Sequence, residues 1–409
     1  MSASAAAARA APRGGHMTQL DALRFFAVFG VIVAHNWKPA PLPSILAELD
    51  FGDLGVRLFF VLSGFLITGI LLRGARPDEP LGRRLHAMRQ FYIRRFLRIF
   101  PVYYLALALC LIFAVEPARQ LWPWLFTYTT NVYVWQHAVF IPNLGHFWTL
   151  AVEEQFYVVW PVIVLFAPRR RLLGVLTLVI ASALAYRLYA SYRYPIDITG
   201  GESATLTLIF GVVDCLGIGA LLALCTDADA GRAEIAVRRL LRGLALPAGL
   251  ALYVGALVLV HRHAGSHIGV TVGPFGEALM FCWLIDRAAR GFGGAGGRIL
   301  EFGPLVYLGT ITYGIYIFHN LVPVVFDAIA GALGVSYSDQ GFPNFVVTGV
   351  TTIAIAALSW HVFEAPINRL KRYFPMPRRA ERAAQTAPSQ PLGDSGRPGS
   401  PPAGNRILP

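Results

Sequence analysis

The sequence predicts an all-α fold, a polytopic membrane helix bundle of about ten transmembrane helices with both termini cytoplasmic. Only 14% of the 409 residues are charged and 56% are hydrophobic, whereas a soluble domain carries about 25% charged residues. Apolar runs close to the ~20 residues that a spanning helix needs recur along the chain. Lysine and arginine cluster in alternate connections between these runs, which is typical of cytoplasmic loops.

The apolar runs place the spans in order along the chain. We expect them near residues 18–36, 53–72, 99–115, 148–167, 172–190, 205–225, 243–261, 268–285, 302–321 and 343–362. The segment between the third and fourth spans, 116–147, is rich in tryptophan, tyrosine and phenylalanine. That composition favours an interfacial or re-entrant position over a clean span.

Composition divides the chain into three regions. Residues 1–16 are rich in alanine and lack a continuous apolar core, so they predict a disordered leader rather than a signal peptide. Residues 17–372 form the predicted transmembrane domain. Residues 373–409 are rich in proline, glycine, serine and arginine, which predicts a disordered cytoplasmic tail.

The formal charge of +12 does not indicate nucleic-acid binding, because the basic residues are divided among the loops between apolar runs. All four cysteines lie inside apolar runs without a metal-binding spacing. Cysteines in such positions usually serve as apolar packing, so we expect neither a disulfide framework nor a metal site.

Ionisable residues inside apolar runs are informative, because each costs at least ~2.5 kcal/mol to place in a membrane. His35 closes the first predicted span and His319 the ninth, while the adjacent Glu153 and Glu154 lie one turn into the fourth. This topology gathers all four on the outer side, where imidazole and carboxylate groups suit acid–base catalysis. The alternatives are an interfacial histidine without chemistry and glutamates that pair with an arginine of the first two spans for assembly.

The inner side carries a cluster of arginines. Arg94, Arg95 and Arg98 lie within five residues of one another at the predicted inner surface. Guanidinium groups bind phosphates through paired hydrogen bonds, which indicates an anion clamp. Anchoring to anionic lipid headgroups explains the cluster equally well.

Polar residues also lie within the first two spans. Asp21 and Arg24 are three residues apart and can pair on one helix face, while Arg24 and His35 share a face about 16 Å apart along the axis. Ser63 and Gly64 are small residues of the kind that let membrane helices approach closely, so packing is favoured over catalysis for them.

Five segments, in order and on matching spans, resemble the membrane acyltransferase-3 family. That family comprises bacterial O-acyltransferases that modify carbohydrates, peptidoglycan and some antibiotics. The segments are 20–24 with His35 eleven residues on, 55–67, 91–101, 148–157 and 313–319. The resemblance covers the chain from about residue 17 to residue 370, and it implies an enzyme of the bacterial inner membrane.

The resemblance also implies roles for individual residues. His35 matches the essential histidine, Arg24 its paired arginine, and Glu153 the glutamate of the fourth-span element. Arg95 and Arg98 match an element associated with acyl-CoA, and we group Arg94 with them. Further residues that could line the site are Asp21, Ser63, Glu154, Tyr157, Asp214 and His319. The family often has arginine two residues before the sixth-span aspartate, where this chain has Val212, which weakens the case for Asp214.

These features give a mechanistic hypothesis. His35 takes the proton of a hydroxyl group that attacks a thioester, and Glu153 or Glu154 orients the imidazole. Arg24 positions the thioester or stabilises developing negative charge. The phosphates of acetyl-CoA, or of a longer acyl-CoA, bind to Arg94, Arg95 and Arg98.

The expected partners are acyl-CoA as co-substrate, a saccharide or glycoconjugate acceptor and membrane lipid, with no resident cofactor, metal or nucleic acid. A macrolide-type or lipid acceptor is one alternative. A transporter or flippase without enzymatic activity is another, because such proteins also place charges near the membrane centre.

Overall fold

The computed structural model describes residues 17–37, 50–194, 204–262, 266–334 and 341–377. The predicted leader at 1–16 and most of the predicted tail at 373–409 lie outside these ranges. Within them the chain folds into helices, and no strand occurs. The all-α prediction is therefore confirmed for the described residues.

We number the α-helices α1 to α16. They are Thr18–Asn36, Phe51–Gly74, Leu81–Ile112, Ala118–Phe126, Thr130–His137, Phe147–Phe166, Arg169–Arg193, Ile209–Thr226, Arg232–Arg262, His267–Arg290, Gly294–Leu300, Gly303–Thr310, Thr312–Phe318, Leu321–Ala332, Phe342–Ser359 and Ala365–Arg369. A π-helical turn at Trp360–Glu364 joins the last two into one span, Phe342–Tyr373.

The number of spans agrees with the prediction. Among the described residues, nine helices are long and apolar enough to cross a membrane. The consecutive helices α13 and α14, bent by 43° at a short break, make a tenth if they are one span. The chain is thus a multi-pass membrane protein.

Several predicted spans differ from the helices in their bounds; the seventh begins at Arg232 instead of residue 243, and the tenth continues to Tyr373. The third begins at Leu81 instead of residue 99, because the arginines that lower its hydropathy are good helix formers and continue the helix. The ninth, predicted as one helix over 302–321, is divided among α12, α13 and α14. Its glycine and polar residues interrupt the helix, and the break after α13 lies at His319.

The aromatic segment 116–147 contains two short helices, α4 and α5, of nine and eight residues. Neither is long enough to cross a bilayer, since a span needs about 20 residues. The prediction that this segment is not a clean span is confirmed.

Glycines set the closest contacts at the centre of the bundle, where α2 packs against α8. A Cβ atom added at Gly64 would lie 2.0 Å from the carbonyl oxygen of Leu216, and one at Gly219 would lie 2.0 Å from that of Val61. Only glycine permits this approach between backbones. The packing role predicted for Gly64 is therefore confirmed.

The two ends of the bundle carry different side chains. Helix α1 ends at the His35 end, which we call the histidine end, and α2 begins there because Gly52 of α2 faces Ala34 of α1. At the opposite end α2 finishes with Arg73, and Arg76 just beyond it forms an ion pair with Asp229 at 2.8 Å. We call this second end the arginine end.

Candidate active site

Three histidines meet at the histidine end. His35 lies in the last turn of α1, His146 immediately before α6, and His319 at the break between α13 and α14. The ring centroids of His35 and His319 are 5.2 Å apart, and those of His146 and His319 are 4.7 Å apart. The structure thus brings together His35 and His319 as expected, and adds a third imidazole that we did not predict.

Backbone carbonyls fix the tautomer of two of these rings. Nδ1 of His35 lies 2.9 Å from the carbonyl oxygen of Val31, and Nδ1 of His319 lies 2.6 Å from that of Tyr316. A carbonyl oxygen only accepts hydrogen bonds, so each neutral ring donates from Nδ1 and keeps its lone pair on Nε2. His35 is exposed, and its Nε2 is therefore available as a proton acceptor.

His146 has the opposite tautomer. The side-chain amide nitrogen of Asn320 lies 3.1 Å from Nδ1 of His146 and donates to it, which leaves the ring proton on Nε2. Burial, followed by the charge of His35, lowers the pKa of His146 to about 3, so the ring is neutral at ordinary pH. Its Nε2–H is buried and forms no hydrogen bond of good geometry among the described residues, although the backbone carbonyl of Ile317 lies close enough to raise the pKa of the ring.

Neighbouring hydroxyls hold His146 in place. The hydroxyls of Tyr316 and Thr149 lie 3.0 and 2.9 Å from the carbonyl oxygen of His146 and 2.6 Å from each other. The side-chain amide of Asn36 donates to the carbonyl oxygen of His319 at 3.3 Å. These contacts tie α1, α6 and the broken span together around the three rings.

Glu153 belongs to a second polar group, nearer the centre of the bundle. Its carboxylate accepts hydrogen bonds from the hydroxyls of Ser63 and, at 2.8 Å, Tyr157. The guanidinium of Arg95 lies 3.9 Å from the centroid of the Tyr157 ring, and its charge interacts with those of Glu153 and the neighbouring Glu154. We call these residues the Glu153 group.

The sequence predicts that Glu153 or Glu154 orients His35, and the structure corrects this prediction. The carbonyl oxygen of Val31 takes the place of the expected carboxylate, while Glu153 contacts Ser63 and Tyr157. The physical reason is that a backbone carbonyl one helical turn before a histidine is already within reach of Nδ1.

The three arginines of α3 make separate contacts within the protein. Arg94 donates to the carbonyl oxygens of Lys371 and Phe374 at 2.9 and 3.2 Å. Arg98 donates to the carbonyl oxygen of Thr310 at 2.9 Å and lies 4.9 Å from the Trp360 ring centroid. With Arg95 directed toward the Glu153 group, they occupy three different surroundings instead of one common clamp.

Arg24 forms the predicted ion pair with Asp21 one turn earlier on α1. Its charge also interacts with those of Arg98 and Glu153. Arg24 therefore lies within the electrostatic reach of the Glu153 group, on the side toward the arginine end.

A cavity connects the two polar groups. Its volume is about 20 Å³, roughly the space that one water molecule needs, and α1, α2, α6 and α13 line it. Val31, Thr149 and Tyr316 border it near the histidines, and Glu153 and Tyr313 border it near the Glu153 group. The remaining walls are apolar, so a small acyl group fits its chemistry.

The other predicted site residue lies elsewhere. Asp214 forms a double contact with Arg187 at 2.9 and 2.6 Å, and both side chains are fully buried. Neither borders the cavity. Arg57 of the second span pairs with Asp53 and Glu277 at 2.7 and 2.8 Å, so it is not the arginine that pairs with the glutamates of α6.

The site has no arrangement suited to a metal. Within the described ranges, no three histidine, cysteine, aspartate or glutamate side chains are grouped so that they could hold an ion.

Comparison with known proteins identifies relatives. A family model described as an acyltransferase domain matches residues 17–361. YrhL of Bacillus subtilis, provisionally assigned as a peptidoglycan O-acetyltransferase, is 28% identical over 380 residues, which cover 85% of this chain and 54% of that protein. The peptidoglycan O-acetyltransferase OatA of Listeria monocytogenes is 31% identical over 167 residues, covering 37% of this chain and 24% of the relative.

The O-acetyltransferase OatA of Staphylococcus aureus is 25% identical over 400 residues, covering 91% of this chain and 60% of its own length. The chain thus spans little more than half the length of the curated relatives that it matches over most of its residues. No solved structure matches this chain.

Proposed function

We propose, from the premise that this chain belongs to the membrane acyltransferase-3 family, that it transfers an acetyl group from acetyl-CoA to a hydroxyl group of a cell-envelope saccharide. The names of its relatives favour peptidoglycan as the acceptor. We place the protein in the inner membrane. Both termini lie in the cytoplasm in this proposal, since the basic loops favour that orientation.

One observation carries the proposal. His35 is exposed, its Nδ1 is engaged by a backbone carbonyl, and its Nε2 lone pair faces no fixed partner among the described residues. That is the protonation state a general base requires. A hydroxyl is a poor nucleophile until such a base takes its proton.

The reaction follows from this arrangement. Nε2 of His35 takes the hydroxyl proton while the hydroxyl oxygen attacks the thioester carbon, and the C–S bond then breaks. The departing thiolate accepts the proton from His35, which returns the imidazole to its neutral form. The acetyl group enters the apolar cavity beneath the histidines, whose walls move apart to hold it.

His146 stabilises the charge that develops on the thioester oxygen. Its buried Nε2–H forms no well-aligned hydrogen bond among the described residues, and a neutral imidazole that turns away from the Ile317 carbonyl can donate to an oxyanion. Arg24 lies about 16 Å from His35 along α1, too far to reach the same oxygen. We therefore assign Arg24 to positioning the donor, together with Arg95 of the Glu153 group.

The test is transfer of label from acetyl-CoA to saccharide in membranes that contain the protein. The change His35→Ala should abolish transfer without reducing the amount of protein in the membrane. The matched control is His137→Ala, because Nδ1 of His137 makes the same contact, 3.0 Å from the carbonyl oxygen four residues earlier, at the exposed end of its helix. Turnover retained in His35→Ala would exclude His35 as the base.

One feature favours a transporter or flippase as the second candidate. The 43° bend between α13 and α14 breaks a span beside the histidines, and broken spans are common at transporter binding sites. Movement of the saccharide across the membrane without incorporation of label would support that function. Mass spectrometry of the labelled product distinguishes a saccharide from a macrolide-type or lipid acceptor.

A further inference from the structure

A second, larger cavity opens at the arginine end. Its volume is about 250 Å³, close to the lower end of the size range of small-molecule sites. Its walls come from the beginning of α1, the end of α2, α8 with the residue after it, α9 and α10. Four arginines and two aspartates supply its charged groups, which are Arg73, Arg238, Arg242, Arg290, Asp227 and Asp286.

The charges in this cavity do not balance. Asp286 is shared by Arg242 and Arg290, at 3.2 and 2.6 Å. Arg238 forms no ion pair or hydrogen bond with any described residue. Four arginines against two aspartates leave an excess of positive charge facing an empty space, which favours an anionic ligand.

The cavity also reaches into the apolar centre of the bundle. Phe65 and Leu66 line its deep part, eight and seven residues before Arg73 at its mouth. This places its inner end about 12 Å from Arg73 along α2. An ion bound only at the surface would need no such depth, whereas a ligand with a phosphate head and an apolar extension would fill it.

One face of α2 lines both cavities. Phe59 borders the cavity beneath the histidines and Leu66 borders the arginine-end cavity, and these residues are seven apart, so they lie on the same helix face with about 10 Å between them. Met17, directly before α1, and Val31 of α1 also border the two cavities; they are fourteen residues apart, about 21 Å along the axis, and Arg24 lies midway between them. A pantetheine arm is at least as long as three extended amino-acid residues, which span about 10 Å.

We propose that the arginine-end cavity binds the phosphates of the coenzyme A donor, with Arg238 as a principal contact, and that the pantetheine arm passes Arg24 to reach the cavity beneath the histidines. This inference rests on the proposed function. It moves the phosphates away from Arg94 and Arg98, which donate to backbone carbonyls of the last span and of α12.

The experiment compares two adjacent arginines of α9 in purified protein. Arg238 borders the cavity, whereas Arg239 is exposed and does not. The change Arg238→Gln should raise the KM for acetyl-CoA about tenfold, the effect of one lost hydrogen bond to a charged group. Arg239→Gln should leave it unchanged, and Arg73→Gln provides a second test inside the cavity.

Two further measurements identify what binds. Acetyl-pantetheine lacks the nucleotide, so Arg238→Gln should not change its KM. Adenosine 3′,5′-bisphosphate should bind to the wild type in calorimetry and bind about tenfold more weakly to Arg238→Gln. The same titration in nanodiscs rich in phosphatidylglycerol shows whether a lipid headgroup occupies the cavity instead.

The outcomes separate this inference from the proposed function. Transfer by the wild type with an unchanged acetyl-CoA KM in Arg238→Gln and Arg73→Gln would overturn the inference alone. Loss of bisphosphate binding in nanodiscs rich in phosphatidylglycerol would also overturn it, in favour of a lipid site. Bisphosphate binding without any transfer by the wild type would overturn the proposed function.

Discussion

At the scale of single residues, the site depends on which ring nitrogen of each histidine carries a proton. His35 and His146 differ because one is held by a carbonyl and the other by an amide nitrogen. These two imidazoles, each in contact with the His319 ring, therefore have complementary roles, one as acceptor and one as donor. No change in charge is needed to prepare them for the reaction.

This division of roles predicts the behaviour of His146 variants. His146→Ala removes the proposed oxyanion donor, and its kcat should fall about 10²–10³-fold with little change in the KM for acetyl-CoA. His146→Gln retains an amide N–H and should lose less. Initial rates measured against acetyl-CoA concentration give both constants.

The pH dependence provides an independent check on His146. Since the pKa of His146 is lowered to about 3, the ring stays unprotonated over the usual assay range of about pH 5 to 9. Replacing His146 therefore removes no titrating group from that range. The pH–kcat profile of His146→Gln should keep the shape of the wild-type profile. A shift of the acidic or basic side of the pH–kcat profile in His146→Gln would contradict the role of His146 as a neutral oxyanion donor. An unchanged kcat in His146→Ala would also contradict it.

The sequence could identify some of these residues but not their contacts. His35 and His319 were predicted to lie in one layer because both close apolar runs. His146 precedes a span instead of lying within one, and we did not recognise it, although it stands directly before the Phe147–Trp148 segment of the resemblance. The distance from Glu153 to His35 depends on how α1 and α6 are placed, which local periodicity does not determine.

At the scale of elements, the bundle depends on a few close crossings between backbones. The crossing of α2 and α8 is among the tightest in the bundle, and α2 also supplies walls to both cavities. A displacement of α2 would therefore disturb both the cavity beneath the histidines and the arginine-end cavity.

The crossing predicts the effect of a single methyl group. In Gly219→Ala the added Cβ would lie 2.0 Å from the carbonyl oxygen of Val61, and backbone atoms cannot move aside without shifting a helix. We expect a clear drop in the temperature at which the detergent-solubilised protein loses its monodisperse peak. Size-exclusion chromatography after heating measures this.

Gly174→Ala is the matched control for that change. Gly174 lies within α7, is exposed, and has no atom within 4 Å of an added Cβ. Alanine favours helix more than glycine does, so this variant should be at least as stable as the wild type. Equal stability of the two variants would show that the crossing is looser than the structure indicates.

The sequence predicted the elements better than their ends. Hydropathy placed the spans because lipid requires long apolar helices. It placed the start of α3 eighteen residues too late, since a hydropathy scale penalises the arginines of Leu81–Ile112 whereas helix propensity does not. The arginine-end cavity was not predictable, because its residues come from five separate helices.

At the scale of the whole molecule, the two ends have opposite chemical characters. One end carries the three histidines, and the other carries an open cavity lined by four arginines. An acceptor hydroxyl and a phosphate-bearing donor would thus approach from opposite ends and meet at the cavity between them. This arrangement requires that the histidine end face outward and the arginine end face the cytoplasm.

Cysteine labelling tests that orientation. All four native cysteines are buried, so the unmodified protein provides a low background. Val139, in the connection before His146, is 53% exposed, and Gly293, between α10 and α11, is also exposed. A membrane-impermeant maleimide should label Val139→Cys in intact cells and Gly293→Cys only after the membrane is opened, because basic loops remain inside.

The reverse labelling pattern would place His35 on the cytoplasmic side, together with acetyl-CoA. An acceptor in the cell envelope would then have no access to the base, and the acceptor class would have to be a cytoplasmic molecule or a lipid in the inner leaflet. The role of His35 as a base would remain consistent with that result, since it depends on the hydrogen bond to the Val31 carbonyl and not on the orientation in the membrane. The reverse labelling pattern would, however, exclude transfer of an acyl group from a cytoplasmic arginine end to an outward-facing histidine end.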